Sequence, residues 1–385
     1  MISFSKSTDE KLSNFICAYL MFNAVNATLQ DVFGMSGSKL AIVKIGIKLV
    51  LAIMLLACIH KMDIKTVRMF FWAYILCGLA LLYSVLIGTS FKSLSSWAVT
   101  LTTVCLPLGV SAFAIREKNV LYKTMVKYSY YILIINIVDM FFTTDDFYNM
   151  HFSYSVLFVL MIHLNEFLNQ KKKLFLILSI FEVSMIVLYG SRGALVCVVV
   201  FLVINVIRKN LEFRSKLLYL VSIFIASIGA YFAFNELSPS IFQLLISKGV
   251  SSRTINLLFS GNFLKHDSNR SIIWERAMEL ISQRPVFGWG IGGFTDALGA
   301  PYPHNLFLDL LLAFGYLIGG ILIVTLIIII IKAVYTAEQE ERYLTFIFVS
   351  IALVCLMFSG TVFTNYYFFI MLGLVLSVNK YTDFE

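Results

Sequence analysis

One histidine and two arginines carry most of the chemistry open to this sequence. His304 stands in Pro-Tyr-Pro-His-Asn, where Pro303 fixes the backbone just before a long apolar run begins. A neutral imidazole exposed there can take a proton from a hydroxyl, because its ordinary pKa lies close to neutral pH. The same residue also fits a plainer role, anchoring a helix end at a membrane boundary. Arg192, in Tyr-Gly-Ser-Arg-Gly-Ala, sits at a short junction between two apolar runs. A guanidinium at a bilayer edge is costly unless its stem snorkels or it meets an anion. Arg270 follows two helix-capping residues, Ser268 and Asn269, and its spacing to Trp274 puts both on one helix face. Planar guanidinium groups bind phosphate oxygens bidentately, so Arg192 with Arg270 could clamp a diphosphate and stabilise its charge as it departs. Asn305 either positions a substrate or caps backbone groups. Arg276 and Arg284 also read as a solvated helix face and a helix-end charge.

The elements that position these side chains are membrane helices. The 385 residues are 59% hydrophobic and 14% charged, whereas soluble domains are roughly 45–50% apolar and 25% charged. Runs long enough to cross a hydrocarbon core recur along almost the whole chain, which predicts an all-α polytopic integral membrane protein of about twelve spans. The expected organisation is about nine spans over 1–235, one large loop with short amphipathic helices over 236–303, and about three more spans over 304–385. The N-terminal MISFSKSTDEKLSN leads into the first span without a small-residue cleavage site, so that span is expected to be retained. Cys17, Cys58, Cys77, Cys105, Cys197 and Cys355 all fall inside apolar runs, where thiols behave as small hydrophobes.

A net charge of +8 raises the prospect of nucleic acid, but the distribution of charge assigns it to topology and predicts no nucleic-acid partner. With the N-terminus inside, most of the Lys and Arg fall on the inner side, among them Lys61, Arg116, the Lys171–Lys173 triplet and Arg208. The short outer loops carry only Lys39 and Lys92. This is the positive-inside pattern of a polytopic membrane protein with both termini cytoplasmic and its long loop on the outer side. The long loop holds Lys248, Arg253, Lys265, Arg270, Arg276 and Arg284, which the rule permits.

Within that loop, an amphipathic stretch beginning at Ser238-Pro239 can rest on the membrane surface. A helix is predicted from Arg270 until Pro285 stops it. Gly288-Trp289-Gly290-Ile291-Gly292-Gly293 matches a dinucleotide-binding pattern in form only. It follows a helix rather than a strand, so it reads as a tight turn returning the loop to the membrane. Inside the spans, Asp139, His163, Glu166 and Glu182 are polar, and Glu182 either pairs with another buried group or lines a substrate path. The spacing of Gly315 and Gly319 permits close helix packing. No His, Cys, Asp and Glu grouping has metal-ligand spacing, so the expected chemistry uses neither metal nor cofactor.

Taken in order, Ser191-Arg192-Gly193-Ala194, Arg270 with Trp274, Pro285 before Gly288 and Gly290, His304-Asn305, and Gly315 resemble the bacterial O-antigen polymerase and O-antigen ligase superfamily. The resemblance covers roughly residues 186–330; the first half of the chain has only a compatible topology. It implies a membrane glycosyltransferase of the C type, acting on the periplasmic side on glycans linked to undecaprenyl diphosphate. It implies Arg192 and Arg270 on the diphosphate and His304 beside the acceptor hydroxyl, with Tyr302, Asn305, Trp274 and Arg276 as substrate-binding residues. Partners implied are undecaprenyl-diphosphate-linked repeat units, a chain-length regulator, a flippase and membrane lipids. The short stretch between Gly290 and His304 looks more like polymerases than ligases. The expected reaction is therefore transfer of a growing glycan to the nonreducing end of another lipid-linked repeat. A ligase moving the glycan to lipid A-core is the first alternative. A transporter of lipid-linked oligosaccharide is the non-enzymatic one, against which stands the lack of hydropathy symmetry between halves.

Overall fold

A peptide group in hydrocarbon has no water to bond, so a chain this apolar must satisfy its backbone within helices or a closed barrel. The computed structural model describes residues 2–31, 37–59, 62, 64–142, 150–189, 192–209, 212–225, 229 and 270–382, and among them every regular element is a helix. Seven helices are long and apolar enough to cross a membrane: Ser7–Gln30, Lys39–Ile59, Thr66–Leu86, Phe91–Ala114, Phe152–Gln170, Leu306–Thr336 and Glu341–Phe358. Gly193–Arg208 and Tyr366–Val378 are apolar but shorter. Among the described residues seven helices meet both criteria, beside the expectation of about twelve spans over the whole chain. Lys118–Phe142 carries three lysines and an aspartate, and Lys173–Tyr189 has only 17 residues.

The spans divide by how much protein surrounds them. Only 11% of the best window in Lys39–Ile59 is buried, against 72% in Phe152–Gln170. The exposed Ile42, Ile45, Leu49 and Ile53 give the first the outward apolar face that lipid requires.

The chain forms two compact units. One comprises Asn14–Met54 with Val120–His266. In it Met150–Gln170 and Lys173–Tyr189 make a helical hairpin, turned at Lys171 with φ 56°. His163 Nδ1 lies 2.6 Å from Glu182 Oε1 and His163 Nε2 3.1 Å from Ser129 Oγ, all three residues being fully buried. Of the two roles open to Glu182, pairing is the one this geometry satisfies. The expected amphipathic stretch from Ser238-Pro239, the capping residues Ser268 and Asn269, and Ser191 lie outside the described residues.

The other unit comprises Met1–Ser13, Leu55–Asn119 and Asp267–Glu385. Its tightest crossing joins Tyr366–Thr382 to Leu106–Ala114, where Gly109 and Gly373 let the two backbones touch. Its longest span is interrupted: Leu306–Phe314 ends at Gly315, a π turn covers Gly315–Gly319, and the helix resumes over Gly320–Thr336. A break inside an apolar helix frees backbone groups that another segment must satisfy. The Pro285–Gly290 turn does so. Trp289 N donates to Leu312 O at 2.7 Å, Gly290 N to Ala313 O at 2.9 Å, and Tyr316 N to Pro285 O at 2.6 Å.

Candidate active site

That backbone ladder fixes the loop that feeds His304. Trp289 Nε1 bonds Leu280 O at 2.8 Å, Thr89 Oγ1 bonds Trp289 O at 2.8 Å, and Tyr83 donates to Phe287 O. Arg284 lies 4.2 Å over the Trp289 ring and bonds Ile87 O at 3.1 Å. The glycine-rich segment is therefore a turn locked to two helices, as its lack of a preceding strand predicts. Above it the helix Arg270–Gln283 buries Ala277, Leu280 and Ile281, which leaves Arg270 and Trp274 to work at its other end.

Trp274 Nε1 donates to Pro303 O at 2.9 Å, which ties the loop helix to the residue before His304. On the other side, Asn305 caps the helix Leu306–Phe314, its Oδ1 accepting from Phe307 N at 2.9 Å and Leu308 N at 3.2 Å. Held between these two anchors, His304 adopts φ 53°, a left-handed conformation uncommon for any residue other than glycine. The Tyr302 ring stands edge-on to the imidazole with centroids 4.5 Å apart.

The helix Gln339–Phe358 stops at Ser359, so its last carbonyls lack helical partners and carry the negative end of the helix dipole. Two side chains converge on one of them. Arg270 Nη2 donates to Phe358 O at 3.0 Å with its guanidinium 5.3 Å over the Phe358 ring, and His304 Nδ1 lies 3.2 Å from the same oxygen. A carbonyl only accepts, so the Nδ1 of this bond carries the hydrogen and Nε2 is left as the basic nitrogen. Burial pushes the His304 pKa below its ordinary value, the Phe358 carbonyl pulls it up, and the Arg270 charge lowers it further. The imidazole is thus held neutral beside a fixed cation. Arg270 Nε is buried without a partner, a donor left available to an anion.

The other expected residues divide. Arg276 turns to Ala297 O at 3.2 Å and pairs with exposed Glu279 at 2.9 Å, which is the solvated-face arrangement. Asn305 is committed to its cap. Arg192 opens the helix Arg192–Arg208 in the other unit, and the placement of its side chain lies outside the described residues. Two contributors escaped the sequence reading. The Phe358 carbonyl has no signature in residue type. Asp309 was legible in principle as the one acid in the apolar run Leu306–Phe314.

Residues 174–324 match the family described as O-antigen ligase (Wzy_C). A curated relative, the ComP-specific O-oligosaccharyltransferase of Acinetobacter baylyi, is 25% identical over 239 residues, covering 57% of this chain and 41% of the relative. The chain thus spans well under half the length of the curated relative it matches. No solved structure matches the chain.

Proposed function

We propose that this protein is a membrane glycosyltransferase that moves a glycan from a lipid diphosphate to a hydroxyl acceptor. The observation that carries the reading is the single carbonyl, Phe358 O, on which a neutral histidine and an arginine meet. In the proposed step His304 Nε2 takes the proton of the acceptor hydroxyl as its oxygen attacks the anomeric carbon. The bond from that carbon to the diphosphate breaks, and Arg270 neutralises the departing anion. Similarity to an O-antigen ligase family and to an oligosaccharyltransferase supports glycan transfer as the reaction class.

In finer detail, the donor is an undecaprenyl-diphosphate-linked glycan and the acceptor is the nonreducing end of another lipid-linked repeat. The site faces the periplasm from the inner membrane, with both termini cytoplasmic. The short connection between Gly290 and His304 and the charge asymmetry of the loops support these assignments. Arg192 is retained as the second diphosphate ligand on its residue type and place in the sequence. A second reading, ligase-type transfer to a different acceptor, is favoured by the description of the matching family. Purified protein in liposomes with undecaprenyl-diphosphate-linked repeats separates the two. A ladder of longer lipid-linked glycans supports the polymerase, glycan appearing only on added lipid A-core supports the ligase, and unchanged glycans with either acceptor sink both.

Two further results are expected from this assay. Transfer should be full at neutral pH and fall as the pH drops through a midpoint below 6.5, the ordinary imidazole value, because only neutral His304 is a base and its pKa is lowered. A midpoint above 6.5 contradicts the assignment. Arg270→Ala should raise the donor KM by about tenfold, and Arg270→Lys should recover little, since an ammonium is a point charge without the planar fork that binds a phosphate bidentately while bonded to Phe358 O. Full recovery by lysine argues against bidentate anion binding.

A further inference from the structure

The helix that starts beside His304 carries a buried acid one turn in. Asp309 is 1% exposed, and its backbone N–H donates to Asn305 O at 2.9 Å. Its Oδ2 accepts from Thr361 Oγ1 at 2.6 Å and from Val362 N at 2.8 Å, while Oδ1 has no partner. Thr361 and Val362 belong to the turn that immediately follows Phe358. One carboxylate therefore ties the helix beginning at His304 to the segment whose carbonyl receives both His304 and Arg270.

We propose that Asp309 is the positioning residue of this site, setting the direction of the Phe358 carbonyl and, through it, the relation of His304 to Arg270. The inference rests on the reading of His304 as the base.

The physical case turns on direction. The same turn is already held by apolar contacts, with the Phe363 ring 6.0 Å from Phe314 and 5.9 Å from Trp97. Such contacts fill space but leave the rotation of a nearby peptide plane soft, because aromatic packing is tolerant of angle. A carboxyl oxygen receiving both an N–H and an O–H is held in a fixed direction by the two bonds. An acid buried at this depth with one oxygen unsatisfied is costly, and an apolar residue would pack there more cheaply. What the acid adds is the orientation of the turn. The charged group facing His304 is Arg270 from the loop helix, Tyr302 flanks it on its own segment, and Asp309 acts through the Phe358 turn.

Diethyl pyrocarbonate tests this without any glycan substrate, since it acylates neutral imidazole and mass spectrometry resolves the His304 peptide from those of the other histidines. In the detergent-purified full chain, the pH midpoint of His304 modification should lie below 6.5. In Asp309→Ala and in Thr361→Val the midpoint should shift away from that of the parent, as His304 loses both the Phe358 carbonyl that raises its pKa and its fixed place beside Arg270, which lowers it. A midpoint equal to that of the parent in either folded variant overturns the proposal. Should Asp309→Ala fail to fold, Thr361→Val decides alone, because it keeps the carboxylate and the Val362 bond. If the parent itself titrates at 6.5 or higher, the base reading fails whatever the variants do.

Discussion

Replacing His304 with alanine should abolish glycan transfer while leaving donor binding nearly intact. General-base catalysis contributes on the order of 10²–10⁴ in rate, and no neighbour can substitute for it. Tyr302 stands edge-on to the imidazole, but its ring offers no basic nitrogen. Arg270 has no lone pair to offer. Donor binding should survive because Arg270 keeps its own bond to Phe358 O and its stacking on the Phe358 ring, neither of which passes through the imidazole. The measurement is paired: transfer rate in proteoliposomes, and retention of labelled undecaprenyl-diphosphate glycan on the same preparation. Loss of both together would assign His304 to binding rather than to proton transfer. Retention of both would remove it from the site.

Gly288→Ala should cost about 3 kcal/mol of stability and abolish transfer with it. Gly288 has φ 66°, and a methyl there would come within 2.7 Å of the backbone of Ala313 and 2.6 Å of Gly315 N. The left-handed conformation costs an alanine about 1 kcal/mol. The rest comes from prising the turn off the broken helix, which strains the bonds from Trp289 N and Gly290 N to Leu312 O and Ala313 O, each of about 1 kcal/mol. Gly299 supplies the control, since it has φ 68° with nothing within 4 Å of a methyl. Gly299→Ala should therefore cost only the conformational share, about 1 kcal/mol. Thermal unfolding in detergent compares the two; equal losses would mean that the close approach at Gly288 carries no weight.

Much of the fold was legible because its signals are local. Hydropathy over a window of bilayer length finds Leu306–Thr336 and Lys39–Ile59 without reference to any neighbour. Pro285 ends the loop helix, which closes at Gln283. The break inside the Leu306–Thr336 span was not legible in this way. Gly315 and Gly319 suit close packing in an unbroken helix equally well, and only the arrival of Pro285–Gly290 against Leu312 and Ala313 makes an interruption affordable.

By itself the sequence determined that the chain lives in a membrane as helices, and that His304, Arg270 and Trp274 are polar or aromatic groups gathered around one loop and one helix start. These follow from side-chain chemistry and from spacing along a single element. Only the tertiary structure decided which nitrogen of His304 carries the hydrogen, that Asn305 is spent on a cap, and that Arg276 faces its own helix. It also decided that Asp309 reaches across to Thr361 and Val362. For His304 and Asp309 the reason is the same. A backbone carbonyl such as Phe358 O is the same in every residue, so where it points, and what it receives, is set by how separate segments pack.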